Sequence, residues 1–108
     1  MTGYDFHPEA RTELDEIWEY IALDNPDAAE RVIAEILDAI RNLIPFPFVG
    51  HKRPDLTSRP LRFIVVYEYL IAYAPAEKPL WVVAVIHGHR SPRVIAAILR
   101  GRESIHEG

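Results

Sequence analysis

His87 and His89 flank a glycine and are followed at once by Arg90, while Arg62 opens an apolar run well upstream. Imidazole is the side chain whose ordinary pKa lets it move a proton near neutral pH, and a guanidinium can grip a phosphate through two parallel hydrogen bonds. Proton transfer at a phosphate needs a base, an acid and cations gathered around it, and arginine and histidine are side chains of those types. Alternation would place His87 and His89 on one face if their strand runs that far. Each also has a structural reading: His87 as a strand residue satisfied by a backbone carbonyl, Arg62 and Arg90 in ion pairs with Glu68 or Asp55. His87-x-His89 also has the spacing of two metal ligands. No third ligand of the right kind stands near in sequence, so neither metal nor other cofactor is expected.

A second cationic group, His51, Lys52, Arg53 and Arg59, lies between Gly50 and Pro60. The charge is unevenly divided. Residues 1–44 carry eleven acids against three bases, and residues 45–108 carry nine bases against five acids. An acidic first half and a basic second half imply that one surface meets an anionic partner. The whole chain is nonetheless acidic, with net charge −4 and pI about 5.7, which disfavours a protein that must hold RNA tightly through its phosphates.

These groups need a scaffold, and 108 residues, 49% of them apolar, suffice for one domain. The absence of cysteine excludes disulfides and thiolate chemistry. The N-terminus lacks the basic and apolar regions of a signal peptide, and no apolar stretch approaches a membrane span, so a cytoplasmic protein without membrane contact is expected. Tyr4 and Phe6 alternate as in a short strand. Pro8 opens a helix carrying Leu14, Ile17, Trp18 and Ile21, ending near Asp24. Asn25-Pro26 then caps and starts a second helix whose apolar face runs to Ile44. Two helices joined so closely form an antiparallel hairpin.

Pro45-Phe46-Pro47 stops the second helix, and residues 51–60 read as a surface loop. Phe63–Val66 and Tyr69–Tyr73 read as a β-hairpin turning at Tyr67-Glu68. Leu80–His87 is apolar enough for a central strand covered on both faces. Ser91-Pro92 caps a last short helix, and the polar tail from Gly101, residues 103–108 above all, is expected to fray. The predicted fold is α+β, ordered β-α-α-β-β-β-α, with the helical hairpin on a small antiparallel-rich sheet. Its edges carry little protection and would invite a partner.

The segments IWEYIALDNPDAAERVIAEILDAIRNL, PFPFVGHKRPDL, RPLRFIVVYEYLIAYAP and VVAVIHGHRSP together resemble the ParE/RelE superfamily of toxins from bacterial type II toxin–antitoxin pairs, ParE-like members in particular. The likeness spans about residues 4–95. It implies a toxin that arrests growth when free and is silenced by a cognate, ParD-like antitoxin wrapping around it. It implies DNA gyrase as target, or, for RelE-like members, messenger RNA cut in the ribosome through Arg62, His87 and Arg90. An inert binding module is the third possibility. The acidic chain and its two lysines rank the nuclease below the gyrase inhibitor. Target contact is expected at His51, Lys52, Arg53, Arg59, Arg62, His89 and Arg90. Antitoxin contact is expected at Trp18, Ile21, Tyr69 and Tyr73, and Trp18, Tyr20 and Trp81 are expected to pack in or beside the core.

Overall fold

The computed structural model describes residues 3–102, so the tail expected at 103–108 lies outside the described residues. Its elements are β1 (Tyr4–Phe6), α1 (Pro8–Ala22), α2 (Pro26–Arg41), a 3₁₀ turn (Pro47–Val49), β2 (Arg62–Val66), β3 (Tyr69–Ala74), β4 (Leu80–His87) and α3 (Pro92–Arg100). The sheet runs β1-β4-β3-β2, with β1 parallel to β4 and the other pairs antiparallel. This is the α+β order read from the sequence. Among the described residues no helix is long and apolar enough to cross a membrane.

Each helix starts on a cap followed by proline. Asn25 accepts from the Ala28 N–H at 3.1 Å and Ser91 from the Val94 N–H at 3.3 Å, satisfying donors that have no partner within the helix. α1 is capped by His7, whose Nδ1 accepts from the Glu9 N–H at 3.0 Å. α2 ends at Arg41, short of the expected Ile44. Pro45 disfavours helical geometry in the residue before it, so Leu43 and Ile44 leave through tight turns onto the Ile40 and Arg41 carbonyls.

β4 is buried along seven of its eight residues, and both its faces are covered. On one side Leu80, Val82 and Val85 join Leu14, Ile36 and Ile40 of the helical hairpin. On the other, Trp81, Val83, Ala84 and Ile86 meet Leu56, Leu61, Ile95 and Leu99, from the 51–60 loop and α3. Burying an aliphatic side chain of this size contributes about 1.5–3 kcal/mol, so this strand is the main anchor of both cores. A bulge interrupts it: Ala72 faces Ala84 and Tyr73 faces Val82, leaving Val83 as the extra residue. The bulge reverses the alternation beyond it. It therefore turns Val85, and His87 after it, toward α1.

The edges are better protected than expected. β1 is three residues long, and beyond it the exposed flank of β4 is closed by side chains. Glu13 Oε1 accepts from the Val85 N–H at 2.9 Å, and Arg102 donates to the Val83 carbonyl at 3.1 Å. The same two side chains pair, Arg102 to Glu13 at 2.8 and 2.7 Å, with Glu9 at 3.3 Å from Arg102. Arg102 is buried. The expectation of a polar tail from Gly101 is corrected here: residue 102 is a structural clamp, and its guanidinium is held in the charged form above its ordinary pKa chiefly by the hydrogen bond to Glu13. On the far edge His51 pairs with Phe63, donating at 2.9 Å and accepting at 2.8 Å.

Truncating one member of a buried ion pair strands the other. R102A is expected to lower unfolding free energy by about 3 kcal/mol, and the E13Q/R102A double variant to lose less than the sum of the single losses, as read from urea midpoints. His7 is buried too, and its pKa is lowered from the ordinary 6.5 first by burial and then by Arg102. Below that ordinary value the unfolded chain takes up a proton that the folded chain resists. His7's contribution is therefore full above 6.5 and is lost as pH falls. The urea midpoint of wild type should fall from about pH 7.5 to about pH 5.5 more steeply than that of H7N, which keeps a capping oxygen. Parallel slopes would remove His7 from the account.

Candidate functional site

The chain leaves α2 through the 3₁₀ turn and comes back over the sheet as the 51–60 loop, and this return builds a cationic cleft. Tyr73 fixes the turn. Its hydroxyl donates to the Pro47 carbonyl at 2.7 Å and accepts from the Gly50 N–H at 3.0 Å. A Cβ at Gly50 would lie 2.5 Å from that hydroxyl, so only glycine permits the approach. Arg62 holds the same turn, donating to the Phe48 and Gly50 carbonyls at 2.9 and 3.0 Å with its guanidinium over the Phe48 ring. Lys52, Arg53, Arg59 and Arg62 line a cleft of about 440 Å³.

Its cations are not equally free. Arg53 forks onto Asp55 at 2.9 and 2.8 Å, a hydrogen-bonded pair that pulls the Asp55 carboxyl below its ordinary range. Arg59 donates to the Leu99 carbonyl at 3.0 Å, capping the end of α3. Lys52 and His51 are exposed. Of the residues expected at the target surface, Lys52, Arg53, Arg59 and Arg62 line this cleft, and the three arginines among them also serve the fold.

The second cluster sits where β4 ends. His87 pairs in register with Tyr69, their rings edge to face at 5.4 Å. The strand stops there, so a tight turn, rather than continued alternation, brings His89 beside His87, with ring centres 4.6 Å apart. Both imidazoles reach Glu68, His87 at 3.4 Å and His89 at 3.7 Å. Glu68 is thus engaged by the histidines and Asp55 by Arg53, instead of by Arg62 and Arg90. Arg90 is exposed and borders two clefts. One of them also contains Arg53, His89 and Glu68, so Arg53 joins the loop's cationic cleft to the histidine end.

Arg62 does not meet His87. Arg62 stands opposite Tyr73 and His87 opposite Tyr69. Their backbones are separated by about 13 Å along the strands and roughly two strand spacings of 4.8 Å across them. A base and a phosphate-gripping cation must both lie within hydrogen-bond reach of one scissile group. The sequence-level trio of Arg62, His87 and Arg90 is split between two ends of the sheet.

A groove of about 300 Å³ runs between α1 and the end of β4, lined by Ile17, Tyr20, Tyr69, Val85, His87 and Arg90 among others. Of the residues expected there, Tyr69 borders it, although most of its ring is buried. Tyr73 is fully buried and belongs to the turn. Trp18 lies with Tyr20 and Leu23 on a neighbouring, exposed face of α1, and Ile21 is half-buried. Tyr20, expected in or beside the core, is 76% exposed, whereas Trp81 is buried. Glu13 and Arg102 were missed by sequence reasoning, and Glu68 was read only as a partner for Arg62 or Arg90, because the actual partners come from distant stretches and no local spacing announces them.

The sequence of residues 4–92 matches the model of a family described as the ParE toxin of the type II toxin–antitoxin system parDE. A protein of Sinorhizobium fredii (strain NBRC 101917 / NGR234), named "Putative toxin Y4kP", is 35% identical over 83 residues, covering 76% of this chain and 84% of that protein. With the β-α-α-β-β-β-α fold and the clefts at both ends of its hairpin in place, the match extends through every strand and both long helices. The chain belongs to the ParE toxin family of type II toxin–antitoxin systems.

Proposed function

We propose that this chain arrests growth in the cytoplasm by binding DNA gyrase without covalent chemistry, through the cationic band from Lys52 and Arg53 to His89 and Arg90. A cognate antitoxin silences it by occupying the groove between α1 and β4. The observation that carries this reading is the separation of Arg62 from His87. With those groups at opposite ends of the sheet, the side chains suit contact over a broad surface better than proton transfer at one bond. Family membership supports the antitoxin partner, and the resemblance to ParE-like members supports gyrase. The groove suits a peptide with apolar anchors: Ile17, Tyr20, Tyr69 and Val85 supply the walls, and Glu13, Glu16 and Arg90 the charged rim.

Expression without antitoxin should stop growth, and normal growth would indicate an inert module instead. Purified protein should block gyrase supercoiling and leave ribosome-bound mRNA intact, whereas cut mRNA with normal supercoiling would overturn the proposal. Lys52 and Arg90 are both exposed. K52E and R90E should each raise the inhibiting concentration by about tenfold, more at low salt than at high, with stability changed by no more than about 0.5 kcal/mol. Unchanged inhibition in both variants would move the contact surface elsewhere.

A further inference from the structure

The geometry points to a divalent metal site of the zinc class formed by Glu68, His87 and His89. These residues offer one carboxylate oxygen and two imidazole nitrogens, all within 4.8 Å of one another. A tetrahedral zinc with bonds of about 2.0–2.1 Å spaces its ligand atoms about 3.3 Å apart. Glu68 Oε2 stands 3.4 Å from His87 Nε2 and its other oxygen, Oε1, 3.7 Å from His89 Nε2, so the carboxylate faces both imidazoles, and closing the three donors from within 4.8 Å to the tetrahedral spacing takes an inward rotation of exposed side chains. Two nitrogen donors and one carboxylate favour a borderline first-row cation over Mg²⁺ or Ca²⁺, which take oxygen ligands. Three protein ligands leave the fourth position to water.

The backbone holds this arrangement independently of the side chains. Glu68 lies in the β2–β3 turn, where Tyr67 takes a left-handed φ of 56°. The Glu68 carbonyl accepts from the Gly88 N–H at 2.8 Å. A Cβ at residue 88 would come within 3.1 Å of that carbonyl oxygen, so glycine lets the turn and the strand end close on each other. The ring of Tyr69 braces His87 from the side. His87 Nδ1 also lies 3.4 Å from the His89 N–H, at the long limit of a hydrogen bond. Coordination through Nε2 moves the His87 proton to Nδ1 and gives up that weak contact, exchanging it for a metal bond.

The site is at the edge of the cleft that contains Arg53 and Arg90, where Glu68 is the acidic member. A bound dication reverses the local charge there and ties the hairpin turn to the end of β4. This inference does not depend on the identity of the toxin's target.

The test uses the untagged full-length chain at about pH 7.5, titrated with zinc chloride against a chromophoric chelator, with thermal melting as a second readout. The expected result is one zinc per chain and a raised melting temperature, with magnesium chloride giving neither. Losing a direct ligand should cost at least what losing a supporting group costs, so H89Q and E68Q should each weaken binding by about 10–100-fold or more. Both side chains are exposed, and metal-free melting that matches wild type checks that the variants fold. Zinc binding that survives H89Q and E68Q unchanged overturns the proposal, as does wild-type binding no tighter than that of the double variant.

Discussion

β4 is longer than the strand that flanks it, and the structure depends on how the unpaired part is closed. Beyond Phe6 the backbone of β4 has lost its parallel neighbour, and a buried N–H or C=O left without a partner costs about 1–3 kcal/mol. Glu13 and Arg102 supply the missing partners to Val85 and Val83 and pair with each other. One polar cluster thus joins α1, the central strand and the residue that follows α3. It satisfies the edge without a fifth strand, and it fixes α1 at the distance that leaves a groove over the strand's end. Glu13 borders that groove as well as the clamp.

The candidate surfaces follow from this one strand and its hairpin. The bulge at Val83 sets which side the last residues of β4 face, so His87 turns toward α1 and Tyr69 rather than toward α3. At the other end Tyr73 and Arg62 pin the Pro47–Gly50 turn, which launches the 51–60 loop and its cations. Between them Arg53 touches both clefts. Cations of the 51–60 loop and of the turn after β4 line two clefts that share Arg53, an arrangement suited to a large anionic or mixed surface, where several weak contacts add.

Much of the fold was legible because its signals are local. Asn25-Pro26 and Ser91-Pro92 announce helix starts wherever they stand, the stripes Leu14–Ile21 and Ala29–Ile40 have helical period, and Leu80–His87 is too apolar for an edge strand. What escaped was non-local or degenerate. Val-Val-Ala-Val-Ile is apolar at every position, so no pattern could reveal a bulge that shifts its facing. Arg102 reads as tail polarity until Glu13 is placed beside it. His87-x-His89 was set aside as a metal pair for want of a third ligand near in sequence, and Glu68 came beside it only with strand pairing. Tyr73 looked like an interface aromatic because its partners are backbone atoms of a turn, which carry no sequence signature. The basic residues of 51–62 stand out in the sequence as a cluster, but their division between structural bonds and free surface required the loop's path.

The central claim is that residues 51–62 and 87–90 form one contact surface on a toxin that does no chemistry itself. Amide hydrogen exchange of the chain, alone and mixed with purified DNA gyrase, tests it most directly. The account predicts slowed exchange in both segments on complex formation, with α2 unchanged. Protection confined to α1 and α2, with 51–62 and 87–90 exchanging as in the free chain, would contradict it.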